Sequence, residues 1–243
     1  TGTGILALST FGPVTAGAGY FNSTNVNESG NGPISTTRLF NALNTAGANG
    51  KGGLDMYVAT IQGDLDFVKL EAWYAGLQNT FNSYTFAATS NIDLAENAKL
   101  GLEARYVDLT FNNKVKNLVG LSSEDNSMFR LAVDGKFYIV NARLAYTKTD
   151  KDGGLTALDQ DAKNTSLGWN ISSNGIADAD YIQAALGADI LDNLNFTLHY
   201  GQLKSKEDAN ATKQRLLTDD IKAKEVYGQL TYKMSKNLNT YLR

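Results

Sequence analysis

The chain has 243 residues, a formal net charge of −3, no cysteine and one histidine. Without cysteine it has no disulfide framework, thiolate metal site or cysteine nucleophile, and the small negative charge excludes the basic surface that a nucleic-acid partner requires. No apolar run approaches the roughly 18 residues of a membrane-spanning helix.

Alternation of apolar and polar residues predicts about twelve β-strands. In a strand, successive side chains point to opposite faces, so a period of two separates an apolar face from a polar one. The stretch Ala98–Asp108 is typical, with Leu100 and Leu102 on one face and Lys99 and Glu103 on the other. In chain order, the predicted strands are Gly4–Ser9, Val14–Asn22, Leu54–Gln62, Leu65–Ala75, Thr80–Ser90, Ala98–Asp108, Ser127–Val133, Lys136–Lys148, Ala179–Ile190, Leu194–Lys204, Ile221–Lys233 and Leu238–Arg243.

The predicted connections alternate between short and long. Short turns are expected near residues 12, 63, 93, 135, 192 and 236, and Asp134-Gly135 between two alternating runs is a strong hairpin signal. Two short helices are expected inside the polar connections, at Ser35–Gly47 and around Lys213–Leu217. The long polar connections are Ser23–Gly53, Thr110–Asp125, Thr149–Asp178 and Ser205–Asp220.

This pattern predicts an all-β fold, a transmembrane antiparallel up-and-down β-barrel that forms one domain over residues 1–243. Outer-membrane barrels have strands of about ten residues, apolar outside and polar inside, with short turns at one end and long loops at the other. The alternative is a soluble all-β binding module, whose sheets also carry one apolar face. Apolar faces that end in tyrosine near the long-loop end resemble an interfacial girdle, and these tyrosines are Tyr20, Tyr74, Tyr106, Tyr146, Tyr200 and Tyr232.

Charged residues on the polar side of several strands are the candidate functional residues. Rings of charged side chains create a field across an aqueous pore and select ions and small solutes. The alternative is that these charges only solvate the lumen and pair with one another. The predicted pore-lining residues are Lys69, Glu71, Lys99, Glu103, Arg105, Arg130, Arg143 and Glu225.

Other motifs give no catalytic or cofactor site. Gly2–Ala7 has the G-x-G-x-x-A spacing of a dinucleotide fingerprint, but it lacks the preceding strand and following helix that the chemistry needs. The acidic segments Asp150–Gly153 and Asp159–Asp161 are out of register for a calcium loop. His199 has no second histidine with which to form a zinc or nucleophile constellation. An enzyme is therefore the least expected class.

Several strand sequences resemble one family, the major outer membrane porin of Campylobacter and related bacteria. The resemblance runs through nearly the whole chain, and it lies in the strands because the loops diverge. The segments that carry it are Thr1–Gly4, Leu70–Tyr74, Leu102–Tyr106, Ile182–Tyr200 and Tyr227–Lys233.

The resemblance implies an eighteen-stranded barrel that assembles as a homotrimer, with an inward-folded loop that narrows each pore and a calcium ion near the constriction. This chain would then run from the sixth strand to the seventeenth, and the first five strands, the constriction loop and the last strand would be missing. The resemblance also implies that Glu103 is a calcium ligand, although Asn22 stands where the family carries a neighbouring acidic residue.

The expected function is that of a porin in the bacterial outer membrane, with lipid and two further copies of the chain as partners. It would pass ions and small hydrophilic solutes by passive diffusion, without catalysis and without nucleic acid. The alternative is an outer-membrane adhesin or receptor that acts through the loops Ser23–Gly53 and Thr149–Asp178.

Overall fold

The computed structural model describes residues 3–23, 55–119, 123–158, 163–206 and 221–243. These residues form one antiparallel sheet of twelve strands, in which each strand pairs with its neighbours in the sequence. The strands are β1 (Thr3–Phe11), β2 (Val14–Ser23), β3 (Met56–Leu65), β4 (Val68–Leu77), β5 (Phe81–Ala95), β6 (Ala98–Phe111), β7 (Asp125–Phe137), β8 (Val140–Thr149), β9 (Asp180–Leu191), β10 (Leu194–Ser205), β11 (Ile221–Ser235) and β12 (Leu238–Leu242).

The two ends of the sheet differ in the length of their connections, as predicted. Six turns of two residues each, at positions 12–13, 66–67, 96–97, 138–139, 192–193 and 236–237, lie at one end. The other end has a turn at 78–80 and four longer connections at 24–55, 112–124, 150–179 and 206–220. The helices predicted at Ser35–Gly47 and Lys213–Leu217 fall outside the described residues.

The turn predicted at Asp134-Gly135 is wrong. β7 continues through both residues, and the chain reverses at 138–139, where Tyr138 has a φ of 52°. Asp134 is held in the strand by Arg143 of β8, whose Nη1 lies 2.7 Å from its Oδ2. The turns predicted near 63 and 93 also lie about three residues later in the structure, at 66–67 and 96–97. Pairing of long strands therefore overrides the local preference of glycine and aspartate for turns.

Strand pairing assigns every side chain to one of two faces. Cross-strand partners lie on the same face, and one unbroken line of partners crosses β4 to β11. The line consists of Lys69, Thr89, Glu103, Ala132, Ala145, Gln183, Gly201 and Glu225. We call this side the polar face. The opposite apolar face exposes large hydrophobic side chains such as Ile61, Leu102, Phe129, Leu144 and Leu198.

Aromatic side chains lie on the apolar face near the end that carries the long connections. Tyr20 of β2 packs against Tyr57 of β3 with ring centroids 5.5 Å apart, and Tyr74 of β4 packs against Tyr84 of β5 at 5.2 Å. The prediction is wrong for Tyr232, which lies three residues before the end of β11 and close to a two-residue turn. Among the described residues, no helix is both long and apolar enough to cross a bilayer.

A small hydrophobic core closes the polar face near the long connections. The connection after β6 contains the short helix α1 (Asn113–Val119), and the Asn112 side chain accepts a hydrogen bond from the Lys114 amide at its start. Val115 of this helix and Leu155 of the β8–β9 connection pack against strand residues. The core therefore ties two connections to the polar face, and it consists of Leu77, Phe81, Leu109, Phe111, Val115 and Leu155.

Candidate functional site

All eight predicted pore-lining residues lie on the polar face. Two of their ion pairs stand apart from the centre: Lys69 with Glu71 at 2.8 Å, and Lys99 with Asp93 at 3.2 Å. Four others, Glu103, Arg105, Arg130 and Arg143, form one cluster on β6, β7 and β8. Their role in lining a pore stays a prediction, whereas their shared face follows from the strand pairing.

Glu103 is the centre of this cluster. Its Oε1 accepts hydrogen bonds from Arg130 Nη2 at 2.6 Å and Arg105 Nε at 3.2 Å. Its Oε2 lies 3.5 Å from Nη2 of Arg143, which also pairs with Asp134. The exposed fractions of the side chains are 15% for Glu103, 7% for Arg105 and 9% for Arg130, against 42% for Arg143. Only Arg143 of the three arginines therefore offers much of its surface to solvent.

The connection between β8 and β9 buries the other two arginines. We call the described residues 150–158 and 163–179 the inner loop; both parts fold back over the polar face. Arg130 donates from Nη1 to the Thr165 carbonyl at 2.8 Å and from Nη2 to the Lys163 carbonyl at 2.9 Å. The Asn164 side chain lies 3.4 Å from Arg105 Nη1 and donates to Thr85 Oγ1 at 3.0 Å. The inner loop is thus attached to the polar face by side chains of β5, β6 and β7.

Glu225 on β11 holds the same loop at a second point. Its carboxylate accepts hydrogen bonds from three consecutive backbone amides, those of Trp169 at 3.0 Å, Asn170 at 2.8 Å and Ile171 at 3.3 Å. A Cβ at position 168 would overlap the Glu225 Oε1, so any other residue there requires the carboxylate or the loop to move. Glu225 therefore contacts the loop backbone and does not simply face the lumen.

Buried polar side chains complete the packing of the inner loop. Asn174 accepts from the amides of Thr156 and Ala157, both at 3.1 Å, and donates to the Ala157 carbonyl at 2.7 Å. The hydroxyls of Thr147 and Ser166 are 2.6 Å apart and join β8 to the loop. Satisfied buried polar groups of this kind fix a single arrangement of the chain.

Sequence reasoning missed the insertion of this loop, although one signal was present. Residues 164–177 contain no charged residue, whereas the connection at 206–220 is rich in lysine, arginine, aspartate and glutamate. A connection that stays in water has no reason to avoid charge, and buried polar side chains are mostly uncharged. An uncharged stretch of serine, asparagine and glycine is what a loop buried against a polar wall requires.

A cleft of about 480 Å³ remains open between the inner loop and the wall. Arg143 and Lys163 supply positive charge to it, and His199 lines it with its ring stacked on Tyr227 at a centroid distance of 4.5 Å. Tyr227 in turn meets the Trp169 ring edge-on at 5.3 Å. The cleft therefore combines cationic groups, aromatic rings and the paired carboxylates of Glu103 and Glu225, and it is large enough for small solutes.

The described residues do not fit the calcium site that the resemblance implies at Glu103. Calcium needs six to eight oxygen ligands, several of them carboxylates. Both carboxylate oxygens of Glu103 are paired with guanidinium groups, whose charge repels a cation. Within the described ranges no group of three or more histidine, cysteine, aspartate or glutamate side chains could hold a metal ion. Calcium binding stays a prediction of the resemblance alone.

No protein-family model and no curated protein matches the sequence, but solved structures match its fold. The outer membrane protein OprD from Pseudomonas aeruginosa superposes with a TM-score of 0.66 at 16% identity, over 99% of this chain and 61% of that chain. The outer membrane protein opdK from the same organism gives 0.69 at 13%, over 99% and 62%. OccAB2 from Acinetobacter baumannii gives 0.68 at 15%, over 98% and 59%.

These similarities establish the fold. The twelve strands have the architecture of an antiparallel outer-membrane β-barrel, so the predicted fold class is confirmed. The chain spans about three fifths of the length of the solved structures it matches. OprD and opdK are outer membrane proteins, and at 12–16% identity these similarities show the fold alone.

Proposed function

We propose that the chain forms most of the wall of an outer membrane porin, through which ions and small hydrophilic solutes diffuse passively. One observation carries this proposal: through β4 to β11 most large exposed hydrophobic side chains lie on one face of the sheet, and all eight candidate charged residues lie on the other. In lipid, an apolar outer face and a polar interior are what a water-filled barrel requires. The similarity of the fold to outer membrane proteins supports the proposal that the chain is part of a membrane-embedded channel.

The inner loop gives this channel a constriction. It lies on the polar face, is attached to β5, β6, β7 and β11, and leaves the cleft of about 480 Å³ beside it. A loop fixed in the lumen limits the size of the solutes that pass, while the exposed Arg143 and Lys163 set the local field.

Conductance measurements test this function. Purified full-length protein added to planar lipid bilayers is expected to produce stepwise increases in current. Unheated samples should also migrate differently from boiled samples in electrophoresis, because a folded barrel resists detergent until it is heated. A protein that inserts into the bilayer and never conducts would rule out the porin function.

The inner loop does not favour the adhesin or receptor alternative. That function requires loops available to a partner outside the cell, whereas much of the described part of residues 150–179 is buried against the polar face. The other loop proposed for this role, Ser23–Gly53, falls almost wholly outside the described residues.

We also propose the finer assignment, a Campylobacter-type porin with eighteen strands that assembles as a homotrimer. Support comes from the sequence resemblance and from the strand count, because twelve strands correspond to the sixth through seventeenth of such a barrel. Native mass spectrometry of the detergent-solubilised full-length protein tests the assembly. A mass three times that of one chain is expected, and a monomeric mass would contradict it.

A further inference from the structure

We propose that Glu225 is a positioning residue that holds the inner loop in the lumen and thereby sets the width of the passage. This inference rests on the proposed porin function, and it assigns to Glu225 a role different from the pore-lining charge that the sequence predicts. The carboxylate acts through the loop backbone, so its effect is on the position of other groups.

The hydrogen bonds of Glu225 resemble an anion site made of backbone amides. Three successive N–H groups, of Trp169, Asn170 and Ile171, converge on one carboxylate at 2.8 to 3.3 Å. Such concave arrangements of amides bind anions, and bonds to a charged acceptor are about twice as strong as neutral ones. Here the anion is the Glu225 side chain on β11, and the loop amides bind it as they would bind a free anion.

The backbone around this contact is shaped to fit it. Gly168 lacks the Cβ that would collide with Oε1, and a Cβ at Gly201 would come within 3.1 Å of the Glu225 Cγ. The Tyr181 hydroxyl lies 3.5 Å from the same carboxylate oxygen. The close approach of loop and wall therefore depends on two glycines as well as on the carboxylate.

Groups of opposite charge on two strands hold one short segment of the loop. Arg130 on β7 binds the carbonyls of residues 163 and 165, and Glu225 on β11 binds the amides of residues 169–171. The two strands are four spacings apart in the sheet, whereas the bound loop residues are only four to eight positions apart in the chain. Release at Glu225 would free residues 169–171, while Gln183 still binds the Leu167 carbonyl and Thr149 still binds the Ile176 carbonyl.

Hydrogen exchange of the loop amides tests the contact without relying on conduction. In the full-length protein, Glu225→Gln removes the charge and is expected to make the amides of residues 169–171 exchange roughly tenfold faster or more. Gly168→Ala leaves every charge in place and puts a Cβ where Oε1 lies, so the carboxylate and the loop amides must separate and exchange should accelerate in the same way. Unchanged exchange in both folded variants would overturn the proposed contact.

Single-channel recordings then test the consequence for passage. Both variants should show a higher and noisier conductance and should admit larger uncharged polymers than the wild type. Glu71→Gln is the matched control, because it removes the same charge from the polar face at a residue that pairs with Lys69; it measures what charge loss alone does to conductance. Faster exchange with the wild-type polymer cut-off would refute the role of Glu225 in setting the width.

A disulfide at the part of the loop that Arg130 holds provides a further control. Thr147 and Ser166 have their hydroxyls 2.6 Å apart, and the chain has no cysteine of its own. In Thr147→Cys/Ser166→Cys/Glu225→Gln, oxidation fixes residue 166 but not residues 169–171, so the conductance and polymer cut-off should stay those of Glu225→Gln. Recovery of the wild-type values would mean that the contact near Arg130, and not Glu225, sets the width. A wild-type protein that never conducts would contradict the porin function, while the exchange data would still decide the contact.

Discussion

A single carboxylate, that of Glu103, holds together the charged cluster on β6, β7 and β8. Arg105 and Arg130 are nearly buried beneath the inner loop, and both have Glu103 as their ion-pair partner. Removing one member of a buried ion pair leaves the other charge uncompensated, which is more costly than the pair was favourable. Glu103 is therefore more important for holding the two buried arginines beneath the inner loop than for the charge that the polar face presents to solvent.

Replacing Glu103 should destabilise the folded barrel. We expect Glu103→Gln to lower the free energy of unfolding by about 3–5 kcal/mol, because Arg105 and Arg130 lose their counter-charge. Urea titration in lipid vesicles, followed by tryptophan fluorescence, measures this change. The control is Asp93→Asn, which breaks an exposed pair with Lys99 and should cost at most about 1 kcal/mol. Equal losses in the two variants would contradict the central role of Glu103.

Arg143 is the most exposed arginine of the cluster. With 42% of its side chain exposed in the cleft, Arg143→Gln should lower the local positive potential and shift the reversal potential toward cation selectivity. The measurement is the reversal potential across a salt gradient. Lys224→Gln removes one positive charge from an exposed residue of the opposite, apolar face and should shift the potential much less. A larger shift for Lys224→Gln would place the ion pathway on the apolar face.

At the scale of the strands, most of the sheet could be predicted from the sequence. A period of two is strong in segments such as Ala98–Asp108, so twelve strands, their faces and the alternation of connection lengths were all predictable. The positions of the turns were less predictable. Glycine and aspartate at 134–135 favour a turn locally, but the ladder from β6 to β8 and the ion pair with Arg143 hold them in a strand.

The course of the inner loop lay beyond sequence reasoning. Its contacts join residues far apart in the chain, such as Arg130 with Thr165 and Glu225 with Asn170, and no local pattern specifies such a pairing. All eight candidate residues lie on the face where the sequence places them. For Arg130 and Glu225, the sequence could predict the face but not that each would bind loop backbone.

Substitutions of glycine distinguish the predicted turn from the observed one. Gly135 lies within β7 on the apolar face, and a Cβ there would meet nothing within 4 Å. We expect Gly135→Val to be neutral or to stabilise the protein by up to about 1 kcal/mol, since glycine weakens a strand interior. Gly12→Val, at a true turn with a φ of 57°, should cost about 1–2 kcal/mol. The same urea titration compares them, and destabilisation by Gly135→Val would indicate a turn at that position.

At the scale of the whole molecule, the decisive property is which face meets lipid. In a soluble sheet the apolar face would pack against another layer, but in the described part of the chain Leu198 keeps 49% of its surface exposed. The neighbouring Thr197 points to the polar face, where it donates to Asn195 Oδ1 at 2.7 Å. Leu198 and Thr197 are adjacent in β10 but lie on opposite faces. The proposed porin function requires one of these faces to meet lipid and the other to meet water.

Single cysteines at these two positions test the orientation directly, because the chain contains no other cysteine. In protein reconstituted into vesicles, a fluorophore on Leu198→Cys should be quenched by lipids brominated on their acyl chains, since the apolar face of a barrel lies in the hydrocarbon region. A cysteine from Thr197→Cys should instead react with a water-soluble thiol reagent and escape lipid quenching, because it lines the aqueous interior. The reverse pattern would mean that the polar face is outside. Aqueous reactivity at both positions would mean that the sheet does not span the membrane at all.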